Sequence, residues 1–444
     1  MEFYDVKRFG EWWIGDADFR RKFRADPWNT VHEYDVEVEP EAVSILCCES
    51  NGSSESLPEN AHPAVKAYYS LLRATAKNIE GTRGRGKTSN PSFAKWRSRQ
   101  MARLAGQDHS QDSSRNPHAL FSVELTKGCS IRCDYCAFDA GPLRAVTRFT
   151  SENESLFRDI LRAFVEFFGE GADIGYLYCA TEPLDNPDYE KYLSAFREEL
   201  GTTPHTTTAA WFRDISRTRR LLKQVEQHGG SRQRFSINSP EQLAFCMKTF
   251  SAKELRDVYL TIYHSGSLSQ IASSGRGGRV PGSIDATIAC VTGFLLNIPE
   301  KNIKLISPCV EPKRWPLGYR VFSESHFEQA ADLLDFMQQC QKEIMERTIS
   351  DNDVPRLRDD LRITRDEYGQ FVLTSRYRRF TVPEGIATEL VKAIDGNRTV
   401  NQIVTELRRR YPLSAIQYAI EKWWEGGFLE DLEKSPLNSD RRKL

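Results

Sequence analysis

Between residues 119 and 307 the chain keeps changing period. Strand-like runs, ALFSVEL (119–125), DIGYLYC (173–179), PHTTTAA (204–210), RFSIN (234–238), DVYLTIY (257–263) and NIKLIS (302–307), mostly have helical stretches between them. In NESLFRDILRAFVEFFGE, Leu156, Ile160, Phe164 and Phe167 return at helical spacing. Strands alternating with helices predict parallel βαβ units and an α/β fold. Six such runs predict a partial (β/α)6 barrel, by analogy with the eight-unit barrel.

The flanks read differently. Over residues 1–60, Phe9, Trp12 and Trp13 share a helical face, and Asp16 can cap a second helix carrying Phe19 and Phe23 before Pro27. The run ESNGSSESLPEN (49–60) is a loop. Residues 61–116 hold the helical AVKAYYSLLRATAKNI, the basic EGTRGRGKTSNPS and the polar GQDHSQDSSRNP; the barrel is expected over 117–345. Beyond Arg362, FVLTSRYRRFTVPE offers two short strand-like pieces. Apolar stripes at Ile386, Leu390 and Ile394, at Val400, Ile403, Val404 and Leu407, and at Ile416, Ile420 and Trp423 then predict three helices. Thr399 suits an N-cap, and the glycine pair of EGGFLED suits a helix stop. This pattern predicts a small winged-helix-like α+β domain over 363–433.

Lys+Arg 61 and Asp+Glu 62 nearly cancel in the 444 residues, so no overall field points to nucleic acid or an anionic membrane. The opening MEFYDVKRFGEWWIGD lacks the pattern of a signal peptide, and the longest apolar stretch, IACVTGFLLNI (288–298), is too short to span a bilayer. A soluble, cytoplasmic protein with no membrane partner is expected. In that setting the ten cysteines are better read as ligands or reactive thiols than as disulfides.

Three of them, Cys129, Cys133 and Cys136, fall within KGCSIRCDYCAF, just past the first strand. A C-x3-C-x2-C spacing lets three thiolates converge from one loop at a strand's C-terminal end, the face on which barrels build their sites. A four-iron cluster normally takes four cysteines, so three leave one iron open to another ligand. A structural zinc site completed by a distant residue such as His118 is the alternative.

These residues resemble the radical SAM superfamily. The resemblance implies a [4Fe-4S] cluster on Cys129, Cys133 and Cys136, whose open iron holds the amino and carboxylate groups of S-adenosyl-L-methionine. One electron then releases a 5′-deoxyadenosyl radical. Tyr135 matches the aromatic position that packs on the adenine. In CATEPLDNPDY (179–189), Glu182 and Pro183 stand where the superfamily has Gly-Gly-Glu-Pro, with Ala180 and Thr181 replacing the glycines. Glu182 is thereby assigned to the methionine ammonium, against a salt-bridged surface glutamate as the alternative. Ser236 is assigned to the ribose.

SPCVEPKRWPLGYR (307–320), PHTTTAA, RFSINS and the N-terminal KRFGEWWIGDADFRRKF are similar to radical SAM peptide epimerases that mature ribosomally made natural products. The resemblance implies that an L-residue of a precursor peptide loses its Cα hydrogen and regains one from a thiol, giving the D-residue. It assigns the thiol to Cys309, in a loop stiffened by Pro308 and Pro312, with Cys179 or Cys290 next in line. A buried cysteine packed as a small hydrophobe is the alternative. An external electron donor is required. The C-terminal domain resembles a leader-peptide recognition element, which would take an extended leader as an added strand within 363–381. Other readings are a maturase forming a C–C or thioether crosslink and a non-catalytic iron–sulfur regulator binding DNA through LRRRYP. The absence of a second cluster motif argues against the first, and the few base- or phosphate-reading groups on SAIQYAIEKWWEGG argue against the second.

GTRGRGKT (81–88) satisfies the phosphate-loop pattern letter for letter. It lacks a strand before it and an uninterrupted helix after it, so a basic loop is expected there.

Overall fold

The computed structural model describes residues 1–47, 57–85, 88–108, 118–228, 233–311 and 313–431. Most of the 49–60 loop, residues 109–117 of the second loop, Gly86 and Lys87 of the phosphate-loop pattern, Pro312, and residues 432–433 of the last expected domain lie outside these ranges.

The N-terminal helices are α1 (Phe3–Gly15), α2 (Ala17–Ala25), α3 (Pro27–Glu33), α4 (Pro40–Val43), α5 (Pro63–Arg85) and α6 (Pro91–Gln107). Residues 81–85 of the phosphate-loop pattern continue α5, so no strand-to-helix turn forms there. The α/β unit contains β1 (Ala119–Glu124), β2 (Thr126–Lys127), β3 (Ala145–Val146), α7 (Ser151–Phe168), α8 (Tyr189–Leu200), β4 (Thr207–Thr208), α9 (Ile215–Gln227), β5 (Gln233–Ile237), α10 (Pro240–Thr249), β6 (Val258–Ile262), β7 (Val291–Asn297), β8 (Asn302–Pro308), β9 (Tyr319–His326) and α11 (Ala330–Cys340). The last region contains β10 (Arg362–Arg365), β11 (Phe371–Thr374), β12 (Arg379–Thr381), α12 (Ile386–Ala393), α13 (Val400–Leu407) and α14 (Leu413–Glu425).

The fold is mixed α/β without a closed barrel among the described residues. One sheet runs β4-β5-β6, all parallel; a second runs β1-β7-β8-β9, with β1 and β7 parallel and the rest antiparallel. Two expectations are corrected. The run 173–179 forms a 3-10 turn and a single bridge, Tyr176 to Ser122, in place of a strand. NIKLIS is antiparallel to β7, because residues 298–301 between them are too few for a crossover helix, and the apolar 288–298 stretch supplies the strand beside β1.

Each strand sorts its side chains by period 2. Phe121 of β1 stacks on Phe164 of α7 at 4.0 Å, within an outer core that also takes Phe167, Phe168, Phe294 and Leu305. Phe235 and Ile237 of β5 face Trp211, Leu243 and the aromatic cluster of α1 and α2, built from Phe9, Trp12, Trp13, Phe19 and Phe23. Asp16 caps α2 by accepting from Asp18 N (2.7 Å) and Phe19 N (3.0 Å). The N-terminal helices therefore form the outer layer of the β4-β5-β6 sheet.

In the C-terminal region a three-stranded antiparallel sheet, β10-β11-β12, precedes three helices around Leu390, Ile403, Ile416, Ile420 and Trp423. Thr399 caps α13 in a reciprocal box with Gln402, and Gly427 closes α14 at φ +70°. Helix α6 joins this region to the second sheet. Arg99 lies over the Trp424 ring at 4.2 Å, and Arg103 donates to Glu430 Oε2 at 2.7 Å. No helix of the described residues is long and apolar enough to cross a membrane.

Candidate functional site

β2 and β3 pair to close the base of a loop that carries all three clustered cysteines beyond the C-terminal end of β1. Cys129 N donates to Gly141 O at 2.9 Å. Gly128 turns the chain at φ +78°, and a Cβ there would collide with the Pro142 carbonyl. The backbone N–H groups of Ile131 and Arg132 donate to the Cys129 sulfur, and Asn238 Nδ2 donates to Cys133 Sγ at 3.3 Å. Burial, then the neighbouring Cys129 and Cys136, push the Cys133 thiol up to about 11. Three half-buried thiols on one loop suit a metal site, where ligation displaces the protons. Among the described residues, no group of three or more His, Cys, Asp or Glu side chains is already arranged to hold a metal ion, so the thiols would have to rotate inward.

Two other segments are bonded to this loop. Asp185, in the turn after Glu182, accepts from Ser130 N at 2.8 Å and from Ser130 Oγ, and Arg213 Nη1 donates to Asp185 Oδ1 at 3.3 Å. Glu182 is 3% exposed. Its carboxylate accepts from Leu184 N (3.0 Å), Thr208 Oγ1 (2.5 Å) and Ala209 N (2.8 Å), all uncharged donors. A salt-bridged surface role is thereby corrected. Burial outweighs those donors and pushes the Glu182 carboxyl up to about 7. A buried carboxyl held only by uncharged donors, with Asp185 adding to the rise, would ionise most readily on gaining a cation.

Tyr135 packs against the Tyr263 ring at 5.2 Å, and its hydroxyl donates to Asn238 Oδ1. Asn238 thus bonds both Tyr135 and Cys133. Ser236 lies two residues earlier on the same face of β5, opposite the Phe235 and Ile237 face. Ser236, Tyr135, Glu182 and the three cysteines are therefore carried at or near the same end of the fold.

A segment between β6 and β7 grips the loop from the other side. Gly275 sits so close that a Cβ would strike the Cys136 and Ala137 carbonyls. Arg276 N donates to Cys136 O at 2.8 Å, its Nε to Cys133 O at 2.9 Å, and its Nη1 to Asp139 Oδ1 at 3.0 Å and Ala140 O at 2.8 Å. Its Nη2 is buried with no hydrogen-bond partner. The thiol donors, the cradle shaped by glycines and this unmatched cationic donor fit an anionic, thiolate-bound cluster.

β8 runs antiparallel to β7 and ends beside the start of β7 and β1, so Cys309 leaves the opposite end of the sheet from the cysteine loop, and its thiol turns elsewhere. Ile306 and Tyr319 join Tyr176, Tyr178 and Leu295 in an inner cluster, whereas Ser307 pairs with Arg320. Cys309 shares the parity of Ser307. Its sulfur is bonded to the Arg320 side chain and to Glu311 N–H, it is 1% exposed, and burial pushes it up to about 12. Arg320 also pairs with Glu311 and with Asp431 at 3.1 Å. Cys179 and Cys290 instead pack on the inner cluster, and the groups acting on the Cys179 thiol include Glu124, Cys290 and Cys136.

Sequence reasoning passed over Asn238, Asp185 and Arg276. Asn238 was readable from its parity with Ser236. Asp185 was readable from its place in the turn after Glu182, while nothing in SSGRGGR marks Arg276.

No family model matches the chain. It is 30% identical over 349 residues to the uncharacterized protein y4wI of Sinorhizobium fredii (strain NBRC 101917 / NGR234), a match covering 74% of this chain and 68% of that protein. Among solved structures it is similar to BtrN in complex with AdoMet and 2-DOIA, with a TM-score of 0.30, 11% identity, and coverage of 42% of this chain and 72% of that one. A TM-score of 0.30 is too low to establish a shared fold.

Proposed function

We propose that this chain, which belongs to the same family as the uncharacterized protein y4wI of Sinorhizobium fredii, is a radical SAM enzyme that epimerises residues of a ribosomal precursor peptide. The observation that carries the first part is one loop with three thiols, hydrogen-bonded through Ser130 to the turn that begins at Glu182. When bound, a [4Fe-4S] cluster on Cys129, Cys133 and Cys136 with S-adenosylmethionine supplies a carbon radical able to take a hydrogen atom from an amino-acid Cα.

The chain's own residues then act as follows. Glu182 accepts the methionine ammonium, and the gain of that cation favours its ionised form. Tyr135 flanks the adenine, with its hydroxyl held by Asn238. Ser236 meets the ribose. Cys309 gives its S–H hydrogen to the substrate Cα, leaving a sulfur radical that an external one-electron donor and a proton restore to the thiol. Because Cys309 is buried against Arg320 and leaves the opposite end of the sheet from the cysteine loop, this transfer requires Cys309 to leave Arg320 and the substrate Cα to be reached from that side. Otherwise the hydrogen comes from Cys179.

The C-terminal domain is proposed to hold the leader. β10 forms one edge of its sheet, is exposed along all four residues, and presents Arg362 and Arg365 beside Ile363. Such an edge can add an extended, acidic peptide strand, raising the local concentration of the tethered core.

The test is an anaerobic incubation with iron and sulfide, S-adenosylmethionine, reductant and a candidate precursor in D2O. Epimerisation places deuterium at Cα with no other mass change, whereas loss of two hydrogens indicates a crosslink. Cys309→Ala should retain 5′-deoxyadenosine formation and lose the D-product. If that variant epimerises normally and Cys179→Ala does not, the donor is Cys179.

A further inference from the structure

We infer that Arg276 is the internal counter-cation of the cysteine loop, and that its Nη2 donates a hydrogen bond to a sulfur of the cluster or its thiolates. This rests on the reading of Cys129, Cys133 and Cys136 as cluster ligands. Arg276 reaches the loop with every other donor already placed: backbone N on Cys136 O, Nε on Cys133 O, and Nη1 on Asp139 and Ala140. These contacts fix the guanidinium plane, so Nη2 has no rotational freedom to seek another acceptor. A buried cationic donor left without a partner is rare in folded proteins and marks a missing acceptor.

Charge distinguishes this arginine from its neighbours. Three thiolates make the loop strongly anionic, and Glu182 and Asp185 both act on Cys129 in the same sense. Arg213 and Arg279 also bond residues of the loop, but their side chains are 46% and 74% exposed, so water screens them. Arg276 is 14% exposed. A buried positive charge beside an iron–sulfur centre favours its reduced, more negative state, which the proposed electron transfer requires.

An anionic acceptor could also be the methionine carboxylate of S-adenosylmethionine. The two sources separate by omitting the cosubstrate. Wild type, Arg276→Lys, Arg276→Gln and the control Arg279→Gln are reconstituted anaerobically with iron and sulfide, then assayed for bound iron and for midpoint potential by EPR-monitored titration. Without S-adenosylmethionine, Arg276→Gln should disfavour reduction about tenfold, a shift of about 59 mV for one electron. Arg276→Lys, which keeps the charge, should recover part of that shift, and Arg279→Gln should leave the potential unchanged. If both Arg276 variants load iron at the wild-type potential, Arg276 is a loop clamp and the assignment fails. It fails equally if the shift appears only after S-adenosylmethionine is added. If Arg276→Gln does not load, the Lys variant decides by the same criterion. Wild-type protein that takes up no iron removes the underlying reading and this assignment together.

Discussion

Two loops that leave opposite ends of one sheet carry cysteines, and they are built in opposite ways. The 128–144 loop holds half-buried thiols on a backbone gripped from outside by Asp185 and Arg276, with Asn238 bonded to the Cys133 sulfur. The 309–318 loop hides its one thiol at 1% exposure and fixes it through Arg320 to acidic groups from two regions, Glu311 and Asp431. The first arrangement leaves sulfur available while the chain around it is rigid. The second makes sulfur unavailable until charges separate. Position at a strand end is therefore no guide to whether a thiol is ready to react; its bonding partners are.

Breaking the first loop should have the largest effect. Cys133→Ala is expected to abolish iron loading and 5′-deoxyadenosine formation, measured by iron assay and chromatography, while leaving alkylation of Cys309 as slow as in wild type. Breaking the second should do the converse. Arg320→Gln removes one of three arginines, with Arg99 and Arg103, that hold the buried Asp431 carboxyl below its ordinary range against the opposing effect of burial. With Arg99 and Arg103 still on Asp431, the loss should cost about 1.5–3 kcal/mol in denaturant unfolding, and the Cys309 thiol should then alkylate faster while iron loading persists.

How much of this contrast was readable beforehand differs between the loops. The C-x3-C-x2-C spacing, its position after the first strand-like run and Glu182 are local features; the cysteines lie past β1, while Glu182 follows a run that makes only a single bridge. A parallel NIKLIS strand would set Cys309 at the rim of the cysteine loop; the β7-β8 hairpin sends it to the other end of the sheet, and its facing depends on the β-bulge between Leu305 and Ile306 and on Arg320 meeting Asp431 across 111 positions. No pattern of period 2 or 3.6 encodes such a pairing. The β7-β8 hairpin escaped for a related reason: two adjacent buried strands look alike whether their connection reverses or crosses over. The N-terminal aromatic helices were legible as helices, while their role as the outer layer of the β4-β5-β6 sheet depended on strands far along the chain.

A subtler contrast concerns pH. Glu182 has its folded value raised to about 7 from the ordinary 4.5, so the folded state binds its proton more tightly than the unfolded state. That contribution is fully present below about pH 4.5 and is lost as pH rises through about 7, a swing of about 3 kcal/mol. Glu182→Gln should flatten this dependence in denaturant titrations between pH 5 and 8. S-adenosylmethionine binding has the opposite slope: it should tighten through about pH 7 in wild type and lose that dependence in the variant. The Cys309 loop has no comparable proton switch at neutral pH, since its thiol stays protonated up to about 12.

The smallest effect should come from a site touching neither loop. Thr399→Ala removes the α13 cap, formed by Gln402 N donating to Thr399 Oγ1 at 3.2 Å, and should cost about 1 kcal/mol. Iron loading and Cys309 alkylation should both stay at wild-type levels. A change in either would link the C-terminal domain to that loop more tightly than the α6 contacts alone.

The most direct measurement is the product of S-adenosylmethionine after reduction of the anaerobically reconstituted protein. The account predicts 5′-deoxyadenosine and methionine in equal amounts, dependent on Cys129, Cys133 and Cys136 together. Intact S-adenosylmethionine beside a protein that holds zinc, or iron already saturated by its own side chains, would contradict it.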